Sequence, residues 1–413
     1  MIGGAYMLFF LAGRLSKGGL VCLTILLISS STFAENCATY GDLINNGAYG
    51  LLHLKQGNMD GCHLDDLYVP ASVVKLATAY TAFKILGPDY RFQTHIYQDD
   101  RDNLYVKGFG DPFLTSESVN QISVYLSQMD ISEVHDLVID DTAYALEHLS
   151  PGSELSDNPY DAPVGATAVN FNSVAFTIDN SGGVHSGEFQ TPLLPIMQEK
   201  AMGRKPGSYR VNICSTLGEQ QRSTARYTAQ LFQSFLRKNN IRVTGSLSRR
   251  SVPENARLLY VFHSEKRLED LVKSMLYYSS NFTANQIFLA CGARRYGFPA
   301  TWNKGVKAEQ EILQSILDRD FEKSWKISDG AGLSRENRLS VRFTLNLLNH
   351  FVPYRQLLRK KYGVSVKSGT MQGIYNYAGY LDDNTAFVIF LNQPGNKRNN
   401  VLQRLVHHRT NMY

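Results

Sequence analysis

An apolar run that begins at Ser72 and ends before Gly87 and Pro88 constrains the fold of this chain most strongly. Its apolar residues cover nearly every face of a helix, which is typical of a helix buried in a core. A glycine followed by a proline is a common stop signal for such a helix. The first turn holds two polar side chains, Ser72 and Lys75, and residues three apart share a helix face. The pattern therefore predicts a core helix that carries a hydroxyl and an amine side by side.

Two interpretations of Ser72 and Lys75 remain open at this point. Burial lowers the pKa of a lysine, so Lys75 can serve as a base that activates the Ser72 hydroxyl. Alternatively, Ser72 caps the helix and the long Lys75 side chain extends to solvent. The Ser-x-x-Lys spacing is common by chance, and other motifs are needed to decide between the two.

The N-terminus has the composition of a targeting segment. Residues 1–34 contain no Asp or Glu, and Arg14 and Lys17 precede the short apolar run 20–28 and the small residues before Ala34. This order predicts a secretory signal peptide that is cleaved after Ala34. The alternative is a membrane anchor, but the run falls well short of the roughly 20 apolar residues that span a bilayer. We expect an exported, periplasmic protein.

Four cysteines remain after the predicted cleavage, and an exported chain permits them to form disulfides. A Cys37–Cys62 bridge is favoured because both residues lie just before the core helix, whereas four free thiols are the alternative. Cys214 and Cys291 complete the set.

The charge pattern argues against several classes of partner. The formal net charge is +5 and becomes +3 when Arg14 and Lys17 are removed with the signal peptide. No cluster of basic residues with interleaved aromatic residues indicates a nucleic-acid surface, so we expect at most a loose association with a membrane surface. Only His407 and His408 lie close together among the histidines, and no nucleotide-binding motif is present. We therefore expect no metal and no cofactor.

Strand-like segments dominate the middle of the chain, and helical patterns return after residue 256. We predict one domain formed by residues 35–90 and 256–413, with residues 91–255 inserted as one or more β-rich domains. Ser340 is a suitable N-cap for the helix that follows it. We predict helices at 72–86, 223–238, 268–276, 281–293, 307–317, 341–350 and 401–409, and strands at 50–54, 91–97, 104–106, 137–139, 170–178, 183–190, 209–213, 258–262, 364–367, 377–381 and 386–391.

Two further motifs carry the chemistry that Ser72 and Lys75 need. Ser279 and Asn281 form a Ser-x-Asn motif between two predicted helices, where a hydroxyl can relay a proton and a carboxamide can orient its neighbours. Lys367 begins a Lys-Ser-Gly-Thr motif at the end of a predicted strand. Its ammonium can hold a substrate carboxylate or tune the serine, and the glycine, which lacks a Cβ atom, lets the substrate backbone approach the edge of the strand.

The three motifs together, in this order, resemble the signature shared by β-lactamases and penicillin-binding proteins. Segments 104–112, 160–166, 170–172 and 329–338 also resemble one family in particular. That family is the D-alanyl-D-alanine carboxypeptidase/endopeptidase family, the low-molecular-mass class C penicillin-binding proteins. The resemblance implies an α+β fold: a penicillin-binding-protein/β-lactamase-like transpeptidase domain, with an antiparallel sheet flanked by helices and a β-rich inserted region.

The resemblance also implies an activity. We expect a serine-type D-Ala-D-Ala carboxypeptidase that acts on peptidoglycan stem peptides through a Ser72 acyl-enzyme and is covalently inhibited by β-lactam antibiotics. The resemblance leaves open whether it also acts as an endopeptidase on peptidoglycan cross-links. The main-chain N–H groups of Ser72 and Thr370 would form the oxyanion hole. The alternatives are a β-lactamase of the same fold and a non-catalytic cell-wall-binding relative. The implied site consists of the catalytic residues Ser72, Lys75, Ser279 and Asn281 and the substrate-binding residues Lys367, Ser368, Gly369 and Thr370.

A second Ser-x-Asn sequence competes with Ser279. Ser156, Asp157 and Asn158 match the Ser-Asp-Asn form of the motif more literally. They lie in a turn-rich stretch with no predicted helix on either side, so we interpret Ser156 as a turn residue. The chain departs from the family pattern at Ser280, Ser368 and Ala331, where Asp, Thr and Ser are more usual.

Overall fold

The computed structural model describes residues 40–146, 148–316 and 324–410, apart from the side chains of 408–410. The described residues belong to one compact unit, Glu35–Tyr413. The predicted signal peptide and Cys37 lie outside the described residues. Cys62 is disulfide-bonded, whereas Cys214 and Cys291 are free and buried. Within the described ranges, every helix is too short or too polar to cross a membrane.

The helices are numbered in chain order and include one long helix in the middle of the chain. They are α1 (Lys75–Ile85), α2 (Ser116–Ser127), α3 (Pro195–Ala201), α4 (Gln220–Lys238), α5 (Leu268–Tyr278), α6 (Asn281–Tyr296), α7 (Trp302–Gln314), α8 (Val341–Phe351) and α9 (Arg398–Thr410). Helix α8 begins as predicted, because the Ser340 side chain accepts a hydrogen bond from the Phe343 N–H.

The strands in the described residues are mostly short and form five sheets. They are β1 (Gly47–His53), β2 (Met59–Cys62), β3 (Gln93–Gln98), β4 (Leu104–Gly108), β5 (Glu133–Val134), β6 (Leu137–Asp140), β7 (Ser173–Ile178), β8 (Val184–Ser186), β9 (Gly207–Asn212), β10 (Arg242–Val243), β11 (Leu247–Arg249), β12 (Arg257–His263), β13 (Trp325–Lys326), β14 (Arg338–Leu339), β15 (Arg359–Lys361), β16 (Val364–Met371), β17 (Ile374–Tyr380) and β18 (Thr385–Leu391).

The largest sheet is antiparallel and has the order β15-β16-β17-β18-β1-β2. Strand β18 is buried at every position, because alternate residues face two different cores. Val388 and Phe390 pack into the cluster that contains α1 and α8, whereas Phe387 and Ile389 pack against α9. The antiparallel sheet is therefore covered by helices on both faces, as the fold prediction requires.

The predicted inserted region has its own hydrophobic cluster. A mixed five-stranded sheet of order β11-β6-β4-β3-β12 and an antiparallel sheet of order β8-β7-β9 surround it. Helices α2, α3 and α4 contribute to the same cluster, so this region is more helical than the sequence indicated. Strand β12 pairs with β3 in this sheet. The division at residues 91–255 stays a prediction, and β12 lies beyond its second boundary.

Several local predictions are wrong, among them the strand at 183–190, of which only Val184–Ser186 forms β8. The first turn at Ser72 is a 3₁₀ turn, Ala71–Val74, and the α-helix begins at Lys75. Segment 170–172 is a turn with left-handed backbone conformation and not the beginning of a strand. Helices α2 and α3 were not predicted. The C-terminal end of the predicted helix 307–317 lies outside the described residues, and its α7 counterpart begins earlier, at Trp302.

Candidate active site

Ser72 sits in a tight turn that leads directly into the core helix. The turn Ala71–Val74 is followed by α1, in which every residue from Lys75 to Phe83 is buried. Ser72 is half-buried, so its hydroxyl remains accessible from one side. A short rigid turn on a buried helix holds a side chain in one place, which suits a group that must meet a substrate in a fixed geometry.

Lys75 is fully buried, and its amine has three partners. The Nζ atom lies 2.9 Å from Ser72 Oγ, 2.8 Å from Asn281 Oδ1 and 2.5 Å from the main-chain oxygen of Ala331. Desolvation lowers the pKa of Lys75 well below its usual value, and the positive charge of Lys367 lowers it further, whereas Asp329 opposes the shift. The alternative in which Lys75 extends to solvent is therefore wrong.

The break between α5 and α6 brings two polar side chains into the site. Ser279 ends α5 in the left-handed conformation, with φ 59°, and Ser280 caps α6 by accepting from the Thr283 N–H. Asn281 is the first residue of α6, and its Nδ2 group donates to the main-chain oxygen of Tyr160 at 3.3 Å. Because a carbonyl can only accept, this contact turns Asn281 Oδ1 toward Lys75.

A buried aspartate shapes the loop that supplies the Ala331 carbonyl. The Asp329 carboxylate accepts from the N–H groups of Ala331, Leu333 and Ser334 at 3.0–3.2 Å. It also accepts from Asn337 Nδ2 at 2.6 Å. Desolvation raises the pKa of Asp329, and these hydrogen bonds and the charge of Lys75 oppose the rise. The Asp-Gly-Ala-Gly-Leu-Ser segment is therefore a carboxylate-centred turn that directs one carbonyl at Lys75.

Lys367 is the second buried lysine of the site, with 2% of its surface exposed. It lies on β16, and its Nζ donates to Ser279 Oγ at 2.8 Å and to the Ser368 main-chain oxygen at 2.8 Å. Burial, assisted by the charge of Arg398, lowers the pKa of Lys367 to about 7. This amine therefore titrates near neutral pH. It forms a hydrogen bond with Ser279, as Lys75 does with Ser72.

Strand β16 approaches the Ser72 turn very closely at Gly369. A Cβ atom on Gly369 would lie 2.4 Å from the Pro70 main-chain oxygen and 3.3 Å from the Ser72 nitrogen. The glycine is thus required for contact between the strand and the Ser72 turn. Ser368 is half-buried and Thr370 is exposed, and Arg398 Nη1 donates to Thr370 Oγ1 at 2.6 Å.

The structure brings the predicted residues together in two linked groups, one around Lys75 and one around Lys367. Sequence reasoning missed three contributors, namely the Tyr160 carbonyl that orients Asn281, the Ala331 carbonyl on Lys75, and Arg398 beside Thr370. Two of the three act through main-chain oxygen, which leaves no trace in residue type. Arg398 stands alone at the start of α9 and belongs to no recognisable motif.

Ser156, in the competing Ser-Asp-Asn sequence, has the turn role expected of it. Its hydroxyl donates to Asp161 Oδ2 at 2.8 Å, and its Oγ accepts from the Asn158 N–H at 3.3 Å. None of its hydrogen bonds involves Lys75, Lys367 or Ser72. Elsewhere in the described part of the chain, no group of three or more His, Cys, Asp or Glu side chains is arranged to hold a metal ion.

Comparison with protein families gives one match that covers most of the chain. The model of the D-Ala-D-Ala carboxypeptidase 3 (S13) family matches residues 54–204 and 214–360. These segments contain Ser72, Lys75, Ser279 and Asn281. Lys367 and its neighbours on β16 follow the end of the second segment.

Individual relatives agree with the family match. The chain is 25% identical over 385 residues to D-alanyl-D-alanine carboxypeptidase DacB of Haemophilus influenzae, covering 78% of this chain and 80% of the relative. It is 23% identical over 391 residues to D-alanyl-D-alanine carboxypeptidase of Actinomadura sp. (strain R39), covering 76% and 70%. The crystal structure of penicillin binding protein 4 (dacB) from H. influenzae has a TM-score of 0.73 at 21% identity, covering 90% of this chain and 99% of that one. This likeness confirms the predicted fold class.

Proposed function

The chain belongs to the D-Ala-D-Ala carboxypeptidase 3 (S13) family, and from that premise we propose that Ser72 is its nucleophile and Lys75 the base that activates it. Family membership confirms the predicted enzyme class, a serine-type D-Ala-D-Ala carboxypeptidase. The proposed substrates are peptidoglycan stem peptides, and peptide cross-links are the proposed substrates of an additional endopeptidase action.

The arrangement around Lys75 Nζ carries the proposal. Two of its three neighbours, Asn281 Oδ1 and the Ala331 carbonyl, can only accept hydrogen bonds. A neutral amine has two N–H groups and one lone pair. If the two N–H groups point to these acceptors, the lone pair faces Ser72 Oγ at 2.9 Å and can accept its proton. The lowered pKa of Lys75 favours this neutral form.

The reaction proceeds in two steps. Ser72 Oγ attacks the carbonyl carbon of the scissile peptide bond, and its proton passes to Lys75 Nζ. Collapse of the tetrahedral intermediate forms the Ser72 ester and releases D-alanine, whose amine takes up the proton from Lys75 through Ser279, so that Lys75 is neutral again. Water then attacks the ester and gives a proton to Lys75, which passes it to Ser72 Oγ as the ester bond breaks and the shortened peptide leaves as its carboxylic acid. Asn281 holds Lys75 throughout, and the N–H groups of Ser72 and Thr370 are proposed to stabilise the oxyanion.

The substrate-binding side is proposed to lie along the end of β16. Lys367, Ser368 and Thr370 would hold the terminal carboxylate of the peptide, since an ammonium and hydroxyl groups are suitable donors to it. Gly369 keeps this strand against the Ser72 turn. β-Lactams are expected to acylate Ser72 because they resemble the substrate and present a reactive amide to the same site.

An exported location is part of the proposal. A disulfide at Cys62 is typical of proteins that fold in oxidising compartments, and it supports the periplasmic assignment made from the N-terminal sequence.

Labelling with a fluorescent penicillin, followed by a chase with unlabelled compound, tests the proposal. The mature chain should form a persistent adduct that is absent from the Ser72→Ala variant. Ser279→Ala should form the adduct more slowly by two or more orders of magnitude. Ser156→Ala is the matched control for the competing motif and should label at the wild-type rate.

The alternatives give different outcomes. A β-lactamase of the same fold would release the label rapidly, and hydrolysed penicillin would accumulate. A cell-wall-binding relative without catalysis would form no adduct, and this result would refute the assignment of Ser72 as a nucleophile.

A further inference from the structure

Arg398 is a cation at the edge of the site for which no role has yet been assigned. It is the first residue of α9. Its Nη1 donates to the Gly369 main-chain oxygen at 3.0 Å and to Thr370 Oγ1 at 2.6 Å. Its guanidinium carbon lies 4.5 Å from the centre of the Tyr377 ring, where a cation–π interaction holds it. The side chain is therefore fixed from three directions against the end of β16.

The charge of Arg398 is not neutralised by its surroundings. Among the described residues no acidic side chain forms an ion pair with Arg398, and its Nε is buried without a hydrogen-bond partner. Arg404 on the same helix is different, because it pairs with Asp42 at 2.6 Å. Buried or half-buried cations in proteins are usually paired. The missing partner of Arg398 points to an anion that arrives with a ligand.

The contact with Thr370 also determines what the Thr370 hydroxyl can do. A guanidinium is only a donor, so Thr370 Oγ1 is the acceptor in this hydrogen bond. The hydroxyl proton is then free to be donated to another group. A strongly placed donor of this kind, next to an unneutralised guanidinium, is suited to a carboxylate.

We propose that Arg398 is a specificity-determining residue that recognises the free carboxylate at the C-terminus of a peptide substrate, acting together with the Thr370 hydroxyl that it orients. The inference rests on the proposed function, since it assigns the terminal carboxylate of the D-Ala-D-Ala peptide to the end of β16. Lys367 is engaged with Ser279 and the Ser368 carbonyl. Arg398 thus adds a second positive charge at the carboxylate position that is proposed for Lys367 and its neighbours on β16.

Binding measurements with the Ser72→Ala chain test this assignment without requiring turnover. Calorimetric titration compares a tripeptide that ends in D-Ala-D-Ala as the free acid with the same tripeptide as the C-terminal amide. The free acid is expected to bind at least tenfold more tightly. Adding Arg398→Gln should reduce this ratio about fivefold or more through weaker binding of the free acid, because one of the two cations at the carboxylate position is lost, whereas the affinity for the amide should change much less. Arg398→Lys should preserve part of the ratio, because it keeps the charge without the planar fork.

Arg404→Gln is the matched control on the same helix, and it should leave the ratio at the wild-type value. If Arg398→Gln unfolds, Arg398→Met keeps an unbranched stem over Tyr377 and provides the same measurement. A ratio that survives the loss of the guanidinium overturns the proposal. The same holds if the affinities for acid and amide fall equally, since that pattern indicates a structural role.

The two proposals fail separately. If penicillin does not label Ser72 but the acid-to-amide ratio depends on Arg398, the carboxylate site stands and the catalytic assignment falls. If labelling succeeds and the ratio is insensitive to Arg398, only the role of Arg398 is refuted.

Discussion

Replacing Asn281 with Asp changes the charge next to Lys75 with almost no change in shape. The Asn281 Oδ1 atom that now accepts from Lys75 Nζ at 2.8 Å would become part of a carboxylate. A negative charge at this distance favours the ammonium form of the lysine. The proposed mechanism requires the neutral amine, so the variant is expected to lose acylation at neutral pH although every other contact of Lys75 remains.

The size of the effect follows from Coulomb's law. Two unit charges about 4 Å apart in a partly screened protein environment attract with about 4 kcal/mol. About 1.4 kcal/mol corresponds to a factor of ten. At pH values where Lys75 of the wild type is already partly protonated, the neutral fraction in the variant should therefore fall by up to roughly a thousandfold. The pKa of Lys75 rises, so the acidic limb of the pH profile moves to higher pH, and activity should recover in alkaline buffer.

The assay is the second-order rate constant for acylation of Ser72 by fluorescent penicillin between pH 6 and pH 10. Asn281→Ala separates the loss of the carboxamide from the gain of charge. This variant should be acylated slowly at all pH values, and the acidic limb of its pH profile should not move to higher pH. Ser280→Asp places the same charge one residue away at the N-terminus of α6, where it is favourable, and should have a small effect. An Asn281→Asp profile that coincides in shape with the wild type would falsify the neutral-lysine mechanism.

Three further predictions concern stability and packing. Lys75→Met should raise the free energy of unfolding by about 1–3 kcal/mol at pH 7, because a fully buried amine is removed. In urea titrations the gain should shrink toward pH 10, since the pKa of Lys75 is lowered in the folded state and the unfolded lysine then loses its proton as well. Glu309→Gln should also stabilise the protein, but its gain should grow as pH rises. Desolvation raises the pKa of the buried Glu309, so the wild type loses free energy of unfolding as pH rises above the pKa of this carboxyl group in the unfolded chain. Half-buried Glu311 on the same helix, which pairs with Arg295 at 3.0 Å, is the control: Glu311→Gln should show no such gain at high pH. Gly369→Ala should destabilise by about 1–3 kcal/mol and slow labelling at least tenfold, because its Cβ would lie 2.4 Å from the Pro70 oxygen; wild-type labelling would contradict a rigid contact there.

Helices were predictable where a hydrophobic stripe is visible in the sequence. Helix α8 has such a stripe and a Ser340 cap, and it was predicted nearly to its ends. Helix α2 was missed because three serines, Ser116, Ser118 and Ser123, occupy its buried face beside the apolar residues. A buried serine is invisible to a hydrophobic pattern, and only tertiary packing reveals that it faces a core.

Backbone conformation at 170–172 was unpredictable for a related reason. All three residues have positive φ values, between 46° and 58°. Asn170 Nδ2 donates to Ser116 Oγ and Tyr227 OH, and Asn172 Nδ2 donates to the Pro163 carbonyl. These partners lie far away in the sequence, so the strand-like local pattern was overridden by contacts that form only in the folded chain.

The candidate site was predictable in its residue types and not in its electrostatics. The motifs supply the two serines and the two lysines, but the sequence does not indicate that both lysines are buried at 0% and 2% exposure. Nor does the sequence indicate that Lys75 donates to two neutral acceptors, Asn281 Oδ1 and the Ala331 carbonyl, and not to a carboxylate. The distinction matters because a carboxylate would hold Lys75 as an ammonium, whereas neutral acceptors leave the lone pair available to Ser72.

The Tyr160 carbonyl connects the predicted inserted region, through Asn281, with Lys75, the proposed base. Tyr160 lies within 91–255, and its main-chain oxygen accepts from Asn281 Nδ2 at 3.3 Å. Without that acceptor the Asn281 side chain is free to rotate by half a turn and present its NH₂ group to Lys75. A donor there would compete for the lone pair that Ser72 requires. A carbonyl from the predicted inserted region therefore determines which way the carboxamide beside Lys75 points.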